Sequence, residues 1–328
     1  ESRGLGDVYK RQHGEGSLST TITDLMTKNN YTTEELNLLM KDSIPDDCDL
    51  LLMDGPTNDL SDDEVSLLSG YLGEGGKVMC LLGDTGLDSL PKLAGLLKDY
   101  GIEGADGYIA DPQRCYQNQP YYIFPVLNLS GDMADGISSQ MVLLMNSRGL
   151  TTTDPARDTI TTSAFMTTSE QAYAVTEEDQ KQGTYDLGVV ATETISSDSD
   201  SSDTASSESD ASTDASSDST SSDDTSTDTS SDGSADSKES RLTVISAGSL
   251  IDQQITDAFS QLENTQVFMN AVTANFDGVT NLSIEAKSLT TEYNTVQHAG
   301  GFSILVVFGI PAVVLIGGFV VWFRRRKA

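Results

Sequence analysis

The stretch from Phe302 to Phe323, FSILVVFGIPAVVLIGGFVVWF, carries no charged residue and stops abruptly at Arg324, Arg325, Arg326 and Lys327. As a helix it would measure roughly 33 Å at 1.5 Å per residue, enough for the hydrocarbon core of a bilayer. A buried core helix is the rival reading, but such helices seldom run this long without a polar residue and then end in a block of cations. Trp322 and Phe323 fall where an interfacial aromatic belt would sit, and Pro311 is expected to kink the span. The basic end should stay cytoplasmic, so everything before Gly301 is expected on the outer side of the membrane.

That topology sets how the other residues are read. The 51 acidic and 19 basic side chains give a formal net charge of −32. Phosphate recognition needs the opposite sign, so nucleic acid is excluded as a partner. Three cysteines, Cys48, Cys80 and Cys115, are an odd number with no CxxC spacing, so neither a disulfide framework nor a zinc site is expected. Cys80 lies in an apolar run and reads as a small core residue.

Residues 1–12, ESRGLGDVYKRQ, show no helical or strand period and no apolar targeting core. They resemble a translated sequencing adapter, so a native start upstream, with its own membrane-targeting segment, is expected, and residues 1–12 are set outside the fold. Beyond a loop at His13-Gly14-Glu15-Gly16, Leu18 to Lys28 has helical spacing and Leu36 to Met40 is a short strand candidate. Asp49 to Met53 is a continuous apolar run between turn residues, the pattern of a strand buried on both faces. Ser61-Asp62-Asp63-Glu64 is a capping box that opens a helix with Val65, Leu68 and Leu72 on one face, closed by Gly75-Gly76. Lys77 to Leu82 repeats the buried-strand pattern, and Leu90 to Tyr100 repeats the helix. Strand, capped helix, strand, helix predicts βαβ units and a parallel sheet with right-handed crossovers.

After Asp111 the pattern weakens. Tyr121–Leu127 and Gln140–Met145 fit strands, Ile160–Thr168 and Glu170–Asp179 fit either state, and Thr184–Thr194 alternates like a strand. Residues 196–240 are almost wholly Ser, Asp, Thr and Ala, with no apolar side chain larger than Ala. Such a run cannot bury enough surface to offset its chain entropy, so disorder is expected. An interdomain stalk is one reading. The preferred one is an overgrown hairpin loop, because the flanking Thr184–Thr194 and Arg241–Ile245 suit antiparallel partners and loop closure costs grow slowly with length. The acidic spacing lacks the regular D-x-D-x-D-G pattern, which argues for solvation rather than calcium binding. Further on, Ile251–Phe259 and Thr265–Phe276 fit helices, and Leu282–Ala286 a short strand.

Reactive constellations are sparse. The chain has no G-x-G-x-x-G, no Walker A lysine loop and no G-x-S-x-G or G-x-C-x-G elbow. After the strand Lys77–Leu82, where an elbow would stand, it reads Leu82-Gly83-Asp84-Thr85-Gly86. His298 abuts the apolar stretch and reads as interfacial. His13 and Glu15 remain as a pair at the carboxyl end of a first strand, where α/β sheets place ligand sites. With Gly55, Pro56 and Asp84 from neighbouring strand ends they form a candidate polar pocket; a loop whose polar groups satisfy local backbone is the plainer reading.

The run His13-Gly14-Glu15, then DLLLMDGP from Asp49 to Pro56, then Asp59-Leu60-Ser61 with Glu64, Tyr71-Leu72 and Gly75-Gly76, resembles the Gldg family of extracytoplasmic auxiliary proteins, named for a gliding-motility transporter component. The far end agrees through RLTVI at Arg241–Ile245, Asn270-Ala271-Val272, Lys287, Ile310-Pro311, Gly317-Gly318 and Trp322 with its arginines. The resemblance implies an α/β fold of the class I glutamine amidotransferase-like, ThuA-like or flavodoxin-like kind with extra strands, lacking the nucleophile, plus one C-terminal transmembrane helix. It implies a membrane-anchored, non-catalytic bacterial partner of an ABC permease and ATPase, with no cofactor. The organisation expected is an extracytoplasmic α/β domain over 13–195 and 241–300, interrupted by the 196–240 insert, then the membrane helix 302–323, anchored by Phe302, Pro311, Trp322 and Arg324–Arg326, and a cytoplasmic tail 324–328. The rivals are a surface hydrolase of the same fold using His13 and Glu15, and a Ser/Asp-rich surface adhesin in which 196–240 is a stalk.

Overall fold

A computed structural model of the chain describes residues 6–11, 18–38, 43–195, 238–259, 261–276 and 310–326. It separates into two units, Glu1–Leu282 and Ser283–Ala328. In the first unit the chain begins β1 (Gly6–Arg11), α1 (Thr20–Lys28), β2 (Tyr31–Leu36), β3 (Leu50–Asp54), α2 (Asp62–Gly73), β4 (Lys77–Leu81), α3 (Pro91–Asp99) and β5 (Ile102–Ala110). It continues β6 (Cys115–Tyr116), β7 (Gln119–Ile123), β8 (Val126–Leu127), β9 (Leu144–Met145), β10 (Arg148–Thr152), β11 (Ile160–Thr167), β12 (Ala172–Val175), β13 (Gln180–Gly183) and β14 (Asp186–Ile195). Then come β15 (Lys238–Ile245), α4 (Gln253–Ala258) and α5 (Asn264–Thr273).

One large sheet runs β13-β12-β5-β10-β14-β15-β4-β3-β1-β2, with β11 and β8 attached through β14. The pairs β2-β1, β1-β3, β3-β4 and β4-β15 are parallel. From β15 outward the pairs are antiparallel. The sheet is therefore mixed: the expected parallel sheet is its β2-to-β15 half, and the extra strands form an antiparallel half. A separate three-stranded sheet runs β6-β7-β9.

The continuous apolar strands have a simple explanation in the two layers of core. Leu50 and Leu52 of β3, with Met79 and Leu81 of β4, pack on the face that holds Ile22 and Met26 of α1 and Val267 and Phe268 of α5. The intervening Leu51, Met53, Val78 and Cys80 pack on the opposite face with Leu68 and Leu72 of α2 and Leu93 and Leu97 of α3. A strand covered on both sides needs apolar residues at every position. The capping box forms as expected: Ser61 Oγ accepts from the Glu64 N–H at 3.3 Å, and Glu64 Oε2 accepts from the Ser61 N–H at 2.8 Å. The N-cap residue of α3, Leu90, makes no side-chain cap hydrogen bond. The Asp59 carboxylate accepts instead from the N–H groups of Lys92 and Leu93, at 3.0 and 3.1 Å.

Several expectations are corrected. Gly6–Arg11 is a strand between β2 and β3, so residues 1–12 do not all stand outside the fold. With one aliphatic side chain, the buried Val8, GDVYKR has no apolar period to reveal it. The strand candidate at Leu36–Met40 lies instead at Tyr31–Leu36, where its partner β1 sets the register. Tyr121–Leu127 breaks into β7 and β8, and the pairing within Gln140–Met145 is confined to Leu144–Met145. The two ambiguous segments hold strands β11 and β12. The flanks of the Ser/Asp run do pair antiparallel, from Gly188 with Ile245 to Ile195 with Lys238, which rules out a stalk between separate domains. Residues 196–237 and the strand candidate Leu282–Ala286 lie outside the described residues.

In the second unit, α6 (Ile310–Arg326) is a 17-residue helix, and its Trp322, Phe323 and Arg324–Arg326 are exposed. Phe302 lies outside the described residues, and Pro311 falls in the first turn described, so the expected kink stands at the edge of what is described. Among the described residues no helix is long and apolar enough to cross a membrane.

Candidate functional site

Parallel strands expose their terminal loops together at the carboxyl edge, and here the loops after β3, β4 and β15 meet the first turn of α1. They enclose a cleft of about 680 Å³ lined by Ser19, Asp54, Gly55, Asp84, Gly248 and Asp252 among others. Its floor depends on two glycines. Gly55 has φ +62°, a left-handed conformation that disfavours a side chain. A Cβ built on Gly83 would come within 3.0 Å of the Gly55 Cα. The loops can therefore touch, and the Gly55 N–H donates to the Leu81 carbonyl at 2.8 Å. On the third wall the Gly248 N–H donates to the Leu82 carbonyl at 2.6 Å, tying the end of β15 to the end of β4.

The polar side chains at the cleft are hydroxyls, carboxylates and one amide, beside the apolar Leu18 and Ile251, with no Lys, Arg or His among the lining residues. Ser19 Oγ is occupied as the N-cap of α1, accepting from the Ile22 N–H at 3.3 Å. Asp252 caps α4 by accepting from the Gln254 N–H at 2.7 Å. At the end of β4, where an α/β hydrolytic site would carry its nucleophile, the chain presents Gly83-Asp84-Thr85. Among the described residues no group of three or more His, Cys, Asp or Glu is arranged to hold a metal. Such a lining can accept hydrogen bonds from, and offset the charge of, a ligand rich in donors.

Of the residues singled out from sequence, Gly55 and Asp84 share this cleft. Pro56 is buried and does not line it. His13 and Glu15 lie outside the described residues; the positions that flank them, Arg11 at the end of β1 and Leu18 at the cleft, are described. Sequence reasoning missed Asp252 and Gly248. Their signal was only a Gly-Ser stop followed by an Asp before a short helix, and nothing local says that this turn returns to the loops after β3 and β4.

A second concavity, about 410 Å³, is lined by Tyr100, Arg157, Thr159 and Glu193. It is a clamp. Glu193, 7% exposed, accepts from Arg157 Nε at 2.6 Å and Nη2 at 2.9 Å, from Thr159 Oγ1 at 3.0 Å and from Tyr100 Oη at 3.3 Å. The Arg157 hydrogen bonds hold the Glu193 carboxyl below the usual range, and burial followed by the Glu193 charge pushes the Tyr100 phenol up to about 12. With its acceptor positions filled, this carboxylate fastens the loop end of the β14–β15 hairpin to the end of α3.

A family model described as an ABC-type uncharacterized transport system, auxiliary part, matches residues 13–277. No curated protein matches the chain. Among solved structures, the mmIFT52 N-terminal domain is 14% identical, with 84% of this chain and 100% of that one covered and a TM-score of 0.52. A ThuA-like protein from Bacteroides uniformis is 11% identical over 58% of this chain and 78% of that one, TM-score 0.36. A glutamine amidotransferase from Thermotoga maritima is 13% identical over 56% and 71%, TM-score 0.34. At such identities the likeness is one of fold, and only the first is close enough to carry weight.

Proposed function

This chain belongs to the auxiliary family of the ABC-type uncharacterized transport system, and from that premise we propose that it is a non-catalytic binding subunit, anchored to the membrane by Phe302–Phe323 with its α/β unit on the outer side. Its partners are the permease and ATPase of the transporter. The observation that carries the binding role is the carboxyl-edge cleft, a concave site at the place where α/β sheets receive ligands, with Gly83-Asp84-Thr85 at the strand end in place of a nucleophile. The cleft takes a peptide segment of the permease, or a carbohydrate-like group, rich in hydrogen-bond donors. The anchor and its orientation rest on the uncharged 302–323 run and the cations that follow it.

Co-purification tests the assembly: the full chain, extracted from membranes in mild detergent, is expected to bring down the permease. Asp84→Asn and Asp252→Asn together should lower that yield without lowering the melting temperature. Recovery of the chain with no transporter subunit, or a yield indifferent to both substitutions, would refute the role. Orientation is checked separately, by protease added to intact cells. It should digest the α/β unit and spare Arg324–Arg326.

A further inference from the structure

Arg148, the first residue of β10, lies outside the sequence motifs and does not line the cleft, yet it touches the Asp84 lip and the strand end that leads to the Gly248 wall. Its Nη2 donates to the Asp84 carbonyl and its Nη1 to the Gly107 carbonyl at 3.2 Å. Its guanidinium lies 3.8 Å from the ring centroid of Tyr108, the residue directly opposite it on β5. The Tyr108 hydroxyl donates to the same Asp84 carbonyl at 3.3 Å. The Arg148 backbone N–H donates to the Ser246 carbonyl at 3.0 Å, two residues before Gly248 on the other lip. One residue of the antiparallel half thus ties the loop after β4, through its side chain, to the end of β15, through its backbone.

We propose that Arg148 is a positioning residue of the cleft, holding the Gly83–Thr85 loop, and with it the Asp84 carboxylate, at a fixed distance from the Gly248–Asp252 wall. The inference rests on the cleft being the binding site. The planar guanidinium suits the task because two carbonyls lie within its fork while its face stacks on the phenol ring. A lysine has one point donor cluster and no flat face, so it cannot make all three contacts together.

The test uses the full chain in membranes with its permease co-expressed, and two readouts. The first is amide exchange at Gly55 and Gly248, whose N–H groups donate to Leu81 and Leu82 at the base of the Gly83–Thr85 loop. Arg148→Ala should accelerate it by about tenfold, the value of one charge-assisted hydrogen bond, with β3 and β14 amides unchanged and Arg148→Lys intermediate. The second is photocrosslinking to the permease from benzoyl-phenylalanine placed at Gln253 on the facing wall. It should fall in Arg148→Ala and partly recover in Arg148→Lys. Unchanged exchange at Gly55 and Gly248 would overturn the positioning role, as would faster exchange with undiminished crosslinking. If the otherwise unaltered protein gives no crosslink, the cleft is not the binding site and both readings fall, an outcome distinct from a loss confined to the Arg148 variants.

Discussion

The two halves of the large sheet are held together by different physics. The parallel half is apolar burial: β3 and β4 are covered on both faces, and two of the helices that cover them, α1 and α2, are fixed by local caps at Ser19 and Ser61. The antiparallel half and the loops around it rely on polar groups that reach across the fold. Asp111, fully buried, accepts from the Gln113 and Arg114 N–H groups and from both the N–H and the hydroxyl of Ser169. Asn264 pairs through its amide with both backbone groups of Leu143, as a neighbouring strand would. Asn270 donates to the carbonyls of Met133 and Asp135. Irregular backbone that leaves solvent must find partners, and where ladders are two residues long the side chains supply them.

If the contrast is right, the two halves should fail differently. Leu52→Ala, at a position with no exposure, leaves a cavity between β3 and the α1 face and should cost about 2–5 kcal/mol. Thermal or urea unfolding should show the whole first unit destabilised in one transition. Asp111→Ala should cost on the order of 1–3 kcal/mol, because the Ser169 N–H is left buried without its acceptor. Its signature is local: faster amide exchange at 111–114 and 168–171 while β3 and β4 stay protected. Global loosening from Asp111→Ala, or a purely local response to Leu52→Ala, would erase the distinction.

The same contrast explains what the sequence made readable. β3, α2, β4 and α3 could be placed to within a residue or two, because burial on both faces writes an uninterrupted apolar run, the α2 capping box writes its signal within three residues, and α3 shows an apolar face at Leu93, Leu96 and Leu97. The β14–β15 pairing was legible for a related reason: two strand-like runs flank a segment that cannot fold by itself. The polar half was not legible. The bonds from Ser169 to Asp111, from Ser138 to Glu263 and from Asn270 to Met133 join residues 58, 125 and 137 positions apart. An isolated Asp or Asn carries no mark of such a destination. β1 escaped notice because it has a single buried aliphatic side chain, and the cleft was half legible for the same mixture of reasons. Gly55 and Asp84 follow directly on strands that announce themselves; Asp252 stands a turn beyond its strand, and Arg148 follows a segment that does not announce itself.

A smaller effect tests the locality of the parallel half. Ser61→Ala removes the acceptor for the Glu64 N–H and should cost about 1 kcal/mol, with Ser61→Asp retaining most of the stability. Glu64 is 2% exposed and its carboxylate also takes the Ser61 N–H, so Glu64→Ala should cost at least as much. Melting temperatures of the three variants decide it; equal stability of Ser61→Ala and the parent would mean that α2 is held by packing alone.

The smallest effect probes a polar staple by pH. Burial tends to raise the Glu263 carboxyl, but the N–H groups of Ser139 and Ser138 and the Ser138 hydroxyl outweigh it and hold the group at about 2, against an ordinary 4.5. A depressed carboxyl stabilises the fold above its unfolded value, so the contribution is complete above pH 4.5 and fades as pH falls towards 2. The shift alone would convert to about 3 kcal/mol, and exposure to solvent reduces this to about 1 kcal/mol or less. Glu263→Gln should therefore be less stable than the parent at pH 6, and the gap should narrow between pH 4.5 and 2. Urea midpoints at pH 6, 4, 3 and 2.5 measure the gap. Parallel curves for the two proteins over that range would mean that the Ser138–Ser139 turn is held by its backbone rather than by the charge.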